Sequence, residues 1–157
     1  MSSEKKANTR EIINKRAAYE FIFLSNFEAG IALQGTEIKS IRTGGSINLS
    51  DAYCRFKGNE LYVLSMHISP YKHGTYNNHE ARRERKLLLK KQELKKLQKR
   101  VKERGLTIVP YRLYFGERGL IKLEIALGQG KKTHDKRQAI KEKDTKRNMA
   151  RLNKIRL

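Results

Sequence analysis

Leu106-Thr-Ile-Val-Pro-Tyr-Arg-Leu-Tyr-Phe115 and Leu120-Ile-Lys-Leu-Glu-Ile-Ala-Leu127 flank Gly116-Glu-Arg-Gly119, and their reading decides the fold class. In the second run Ile121, Leu123, Ile125 and Leu127 point one way, while Lys122 and Glu124 point the other. A period of two with one apolar face belongs to an antiparallel strand half-buried on a core. The turn residues between the runs make them a hairpin.

Upstream, Ala52 to Lys57 and Leu61 to Met66 alternate around Gly58-Asn59, a second hairpin signal. Tyr19-Glu-Phe-Ile-Phe-Leu24 has strand composition, a turn is expected at Ser25-Asn26, and a further strand runs to Gln34 with Ile31 and Leu33 on one face. Thr36 to Arg42 reads as a short helix capped by Thr36 and stopped by Gly44-Gly45. Its Ile38 and Ile41 face inward, Lys39 and Arg42 outward. His67 to His79 reads as an irregular, exposed loop. Glu80 to Arg104 reads as the clearest helical region, with Leu87, Leu94, Leu97 and Val101 as its apolar stripe and a break near Leu89-Lys90. About six short strands, one basic helix and a small one predict a mainly β (β+α) fold. The expected architecture is a small antiparallel, oligonucleotide-binding-like β-barrel with outer helices and a basic C-terminal tail. Residues 1–11 are expected to form a loose lead-in, 12–128 the barrel, and 129–157 hinge and tail, with Gly128-Gln129-Gly130 as the flexible joint.

Charge narrows the partner. Lys+Arg 36 against Asp+Glu 16 leaves +20 over 157 residues, which favours a polyanion. Nucleic acid fits best, because the charge is spread along the chain and mixed with Tyr, His and Arg. A membrane partner is not expected, since no segment approaches 18 apolar residues. Between Lys131 and Leu157 eleven Lys/Arg stand against three Asp/Glu, a net of +8, with few apolar residues. Such a tail is expected to stay unfolded alone and to become helical where a polyanion screens it. The single Cys54 excludes an internal disulfide and fits a reducing cytosol; the apolar h-region of a secretory signal is absent from Met1–Arg10. A cytoplasmic protein is expected.

No catalytic constellation is visible: there is no P-loop, HExxH, nucleophile elbow or CxxC cluster. His67, His73 and His79 are six apart, which is no metal-ligand spacing. Neither enzyme activity nor a cofactor is expected. The basic run is the better candidate, with Arg82, Arg83, Arg85 and Lys86 preferred because arginine forks onto phosphate or stacks on a base. Lys39 and Arg42 could meet phosphate, and Glu28 could accept from base amino groups. A permanent ribosomal or nucleoid-like component is the alternative to a regulated RNA-binding adaptor.

Four motifs then carry a family resemblance: Gly35-Thr-Glu-Ile-Lys-Ser-Ile-Arg42, Met66-His-Ile-Ser-Pro-Tyr71, Arg85-Lys-Leu-Leu-Leu89 and Gly130-Lys-Lys-Thr-His-Asp-Lys-Arg137. In this order and spacing the chain resembles the SsrA-binding protein (small protein B) family, the partner of transfer-messenger RNA (tmRNA) in bacteria. It departs at Ala81, where the family often has proline. The resemblance implies trans-translation: the barrel binds the tRNA-like part of tmRNA, and the tail enters the decoding centre and empty mRNA path of a stalled ribosome, becoming helical there. It implies tmRNA contacts at Glu28, Leu88 and Lys122. It also implies ribosomal RNA contacts along the tail motif, at His134, Asp135, Lys136 and Arg137, with Lys131 and Lys132 adding charge. The protein is expected to act as a monomer in that complex.

Overall fold

The structure, a computed structural model, describes residues 10–74, 77–102, 105–131 and 133–155. In chain order these form β1 (Glu11–Ile13), α1 (Lys15–Glu20), β2 (Phe21–Ile31), α2 (Gly35–Arg42), β3 (Ile47–Asn48), β4 (Tyr53–Lys57) and β5 (Glu60–Leu64). Then follow β6 (His67–Ile68), β7 (Arg85–Leu88), α3 (Lys91–Val101), β8 (Leu106–Phe115), β9 (Ile121–Gly130) and α4 (Thr133–Ile155).

The hairpin that decided the fold class is β8–β9, paired from Leu106 opposite Gln129 to Phe115 opposite Ile121. The other edge of β9 pairs with β2, β2 with β7, β7 with β5 and β5 with β4. β4 returns to β8 at Cys54 opposite Ile108. Six antiparallel strands therefore close into a barrel, which leaves no open edge along the ring. β1 adds to the outside of β8, and β3 pairs with β6 separately. Inward residues of each strand (Leu61 and Val63, Leu87, Ile108, Leu113, Leu123, Ile125, Leu127) fill one core with Ile41, Leu49, Met66 and Ile68. Leu94, Leu97 and Val101 lay the apolar face of α3 against it. Gly58 takes φ +62° at the β4–β5 turn, a backbone region that a side chain would strain.

A buried polar residue joins α1 to the barrel. Asn14 is buried yet satisfied: Nδ2 donates to Leu49 O and Pro110 O, each at 2.9 Å, and Oδ1 accepts from Ala17 N as the N-cap of α1. Such an amide fixes a corner that apolar contact alone would leave free to slide.

Several local expectations are corrected. No turn interrupts β2 at Ser25-Asn26; a register shift between Phe23 and Ser25 absorbs the irregularity, so one strand pairs throughout with β9. The cap of α2 is Gln34 with Glu37 in a capping box, while Thr36 Oγ1 lies 2.9 Å from His79 Nδ1. The segment from His67 to His79 is not all exposed, since Ile68 and His79 are buried and His79 Nε2 lies 3.0 Å from Ile68 O. The Ala81 carbonyl, where the family often has proline, accepts from Ile68 N at 2.9 Å and Arg85 Nη2 at 3.2 Å.

The largest correction is at 80–104. Arg85–Leu88 is a strand, and among the described residues of this stretch only Lys91–Val101 is helical. Its residues are good helix formers, but pairing with β2 and β5 buries Leu87 and satisfies the backbone on both sides. The expected joint Gly128-Gln129-Gly130 is likewise strand, opposite Phe23, Ile22 and Phe21. At the other end, Glu11 belongs to β1 and Arg10 Nη1 donates to Ile41 O at 2.8 Å, so the barrel domain begins before residue 12.

Candidate nucleic-acid interface

Strand register brings Glu28, Leu88 and Lys122 together. Gly30 on β2 faces Lys122 of β9 on one side and Leu88 of β7 on the other, so the three lie in one row. Glu28, two residues back along β2, shares their outward face. Gly30 forms the floor: a Cβ there would meet Leu88 Cβ at 3.3 Å, so its lack of a side chain is what lets Leu88 lean across the strand. Glu28, Gly30, Leu88, Leu89, Lys90, Glu93 and Lys122 line an open groove of about 500 Å³. It continues past Glu28 and Lys122 to Tyr114, Arg118 and Leu120. Leu88 and Leu120 are 53% and 57% exposed and put apolar surface on this charged face.

On the same outward face a chain of contacts fixes the carboxylate. Tyr114 Oη donates to Glu28 Oε2. The Arg112 guanidinium lies 4.2 Å from the Tyr114 ring centroid. Arg112 is held in turn by Glu11 and Glu124, each at 2.9 Å, and Asn26 Nδ2 donates to Glu124 Oε1 at 3.1 Å. Burial, and then the bond to Glu28, push the Tyr114 hydroxyl up to about 12, so it remains a donor across the physiological range. An exposed leucine for a base or ribose face, a fixed acceptor and an ammonium suit RNA.

The other expected contacts are dispersed. Arg42 lines neither part of the groove; its Nη2 lies 4.0 Å from where a Cβ on Gly119 would stand, beside the β8–β9 turn. Lys39 is exposed with its ammonium 5.9 Å from the Tyr71 ring centroid, and lines neither part of the groove. Arg82 is exposed 3.8 Å from Asp51. Lys86 shares the outward face of β7 with Leu88 and pairs with Glu60 at 3.0 Å, which raises its pKa through that hydrogen bond.

Arg85 is a correction. It is fully buried, with Nε on Glu37 Oε2, Nη1 on Met66 O at 2.7 Å and Nη2 on Ala81 O at 3.2 Å. Every donor group points inward, so it cannot reach RNA without stranding Glu37. Arg83 completes the cluster with a 3.0 Å bond from Nε to Glu37 Oε1. Burial alone would raise the Glu37 pKa, but bonds from Arg83, the Gln34 N–H and Arg85, with the Arg85 charge, hold it below the ordinary value.

Of the tail residues, Lys131 is tied down: its N–H donates to Glu20 O at 2.9 Å and its ammonium to Ala18 O at 3.3 Å. Arg137 is exposed on α4. Lys132 lies outside the described residues, as do the side chains of His134, Asp135 and Lys136. From Ile140 to Arg151 every side chain of α4 is exposed.

Sequence reasoning passed over Tyr114, Arg112, Arg118 and Leu120. The alternation of the hairpin was a signal for Tyr114, since it places Tyr114 opposite Lys122 on the outward face. Cys54 is buried, and burial pushes its thiol pKa up, as expected for a packing cysteine. Among the described residues no His/Cys/Asp/Glu group could hold a metal, and no helix is long and apolar enough to cross a membrane.

The SmpB protein family profile matches residues 11–155. The SsrA-binding protein of Phocaeicola vulgatus is 55% identical over 141 residues, covering 90% of this chain and 93% of the relative. That of Cytophaga hutchinsonii is 49% identical over 152 residues, covering 97% and 99%. A chain in a solved structure described as "tmRNA-SmpB: a journey to the center of the bacterial ribosome" superposes with TM-score 0.67 at 43% identity, covering 83% of this chain and 94% of that one. With a match from β1 to the end of α4, the chain belongs to the SmpB family.

Proposed function

We propose that this chain is an RNA-binding adaptor of trans-translation. Its barrel holds the tRNA-like part of tmRNA in the groove of Glu28, Leu88 and Lys122, with Arg42 beside the β8–β9 turn as a further cation, and delivers it to stalled ribosomes. Its basic tail probes the empty decoding centre and mRNA channel. The observation that carries the reading is the convergence of those three residues from β2, β7 and β9 on one outward face. The names of the relatives, and of the solved neighbour, support tmRNA and the ribosome as partners.

Each part then has a physical role. Lys122 supplies charge to phosphate, Leu88 an apolar surface, and Glu28 an acceptor that reads base amino groups. The tail is held to the barrel through Lys131, and screening of its net charge by ribosomal RNA would favour the helical state of α4. The peptide bond is made by the ribosome, and the amino acid and reading frame come from tmRNA. The adaptor contributes placement, as a monomer in the complex, in the cytoplasm, with no cofactor.

Recovery and sequencing of the RNA that co-purifies with the protein tests this. One dominant species with a tRNA-like end is the expected result. Bulk ribosomal RNA, retained at stoichiometric levels in high salt, would instead make the chain a permanent ribosomal component.

A further inference from the structure

We propose that Tyr114 is a positioning residue for RNA recognition, holding the Glu28 carboxylate in one orientation across the groove before RNA arrives. The inference rests on the reading of that groove as the RNA-facing site. Glu28 is an exposed residue on an outward strand face, where a glutamate ordinarily samples several rotamers. Here Oε2 accepts from Tyr114 Oη. The tyrosine is in turn fixed by the strand position opposite Lys122 and by Arg112 stacked 4.2 Å from its ring centroid. Arg112 is clamped between Glu11 of β1 and Glu124 of β9. Anchors on β1 and β9 thus act through Arg112 on β8 to settle one carboxylate on β2.

Two consequences follow for chemistry. With one lone pair of Oε2 taken by Tyr114, Oε1 keeps its full acceptor capacity, which favours a contact through Oε1 over a symmetric two-oxygen fork onto a base edge. Ordering the side chain in advance also removes an entropy cost from binding, worth roughly three- to tenfold in affinity for one rotamer-rich side chain. Arg112 does a second thing: its charge is taken up by Glu11 and Glu124, so it does not draw Glu28 away from the groove.

The test is a double-mutant cycle on the full chain with Tyr114→Phe, Glu28→Ala and the double variant. Binding is measured to an in vitro transcript of the tRNA-like part of tmRNA, across a salt series, with the melting temperature of each variant recorded. Tyr114→Phe keeps the ring and its stacking on Arg112 and removes only the hydroxyl. The expected result is a loss of roughly three- to tenfold, an unchanged salt slope, and no further loss when the change is made on Glu28→Ala. An equal loss on both backgrounds would mean that Tyr114 acts independently of Glu28, and no loss on the native background would mean that the bond is idle; either overturns the inference. Failure of the native protein to prefer this transcript over an unrelated tRNA would overturn the groove's assignment, a different and separately visible outcome.

Discussion

The guanidinium of Arg85 and the carboxylate of Glu37 meet where both side chains are wholly enclosed, between α2 and β7. A cation chosen for phosphate would be exposed; this one fastens α2 to the barrel wall. Arg85→Ala should therefore act on stability by stranding a buried charge, at a cost of about 3–5 kcal/mol. Urea denaturation should show this. Any folded fraction should keep the native salt slope for RNA binding, and a stable variant with a reduced slope would return Arg85 to the RNA contacts.

The same pair sets an acid limit. The folded Glu37 pKa lies below its ordinary value of 4.5. A depressed carboxylate contributes stability that is whole above the unfolded pKa and is lost as pH falls through the folded one. The Glu37 contribution should therefore be whole and independent of pH near neutrality, and the melting temperature should fall on acidification below about pH 4.5. Glu37→Gln should be less stable at neutral pH and show a flatter acid limb.

Lys122 and Glu28 should separate in a salt series. Lys122→Ala, losing one phosphate contact, should reduce the slope of log affinity against log salt by about one unit. Glu28→Gln should weaken binding to the tRNA-like RNA without reducing that slope, because it removes no cation.

Gly30→Ala should push Leu88 off the floor of the groove, since the added methyl would meet Leu88 Cβ at 3.3 Å. The contact is with Leu88 Cβ, which side-chain rotation does not move, so β2 and β7 must shift slightly to admit the methyl, and stability should fall by about 1 kcal/mol. Affinity for the tRNA-like RNA should fall several-fold, measured by filter binding.

Removal of residues 133–157 should leave tRNA-like RNA binding and barrel stability intact while abolishing tagging of stalled products. The cut spares Lys131, whose bonds to Glu20 and Ala18 belong to the barrel. Loss of RNA affinity on truncation would join the two surfaces into one.

What the sequence revealed follows from how local each signal is. The β8–β9 and β4–β5 hairpins were legible because alternation and turn residues lie within a few positions of each other. β7 was not, because four residues that contain an arginine and a lysine carry no apolar period, and their strand state is imposed by β2 and β5 from elsewhere in the chain. Arg85 misled for the same reason: nothing near it announces that Glu37, 48 residues away, will take its charge. The groove was readable only through family resemblance, since Glu28, Leu88 and Lys122 meet by register. Tyr114 escaped both routes, having no charge to attract notice and no place in the resemblance.

One strand carries both ends of the proposed bridge. Lys122 stands near the start of β9, and Lys131 follows directly on its end, tied to α1. Nine residues of extended chain span about 30 Å, with neighbours paired on both edges of the strand. On the proposed function the protein is a ruler: an RNA seated in the groove would be held at a set separation from the root of the arm, and the 23 residues of α4 would add about 35 Å of rod to that measure. A length standard of this kind lets one molecule register two distant positions on a large assembly, and inserting or deleting a residue pair in β9 would recalibrate it.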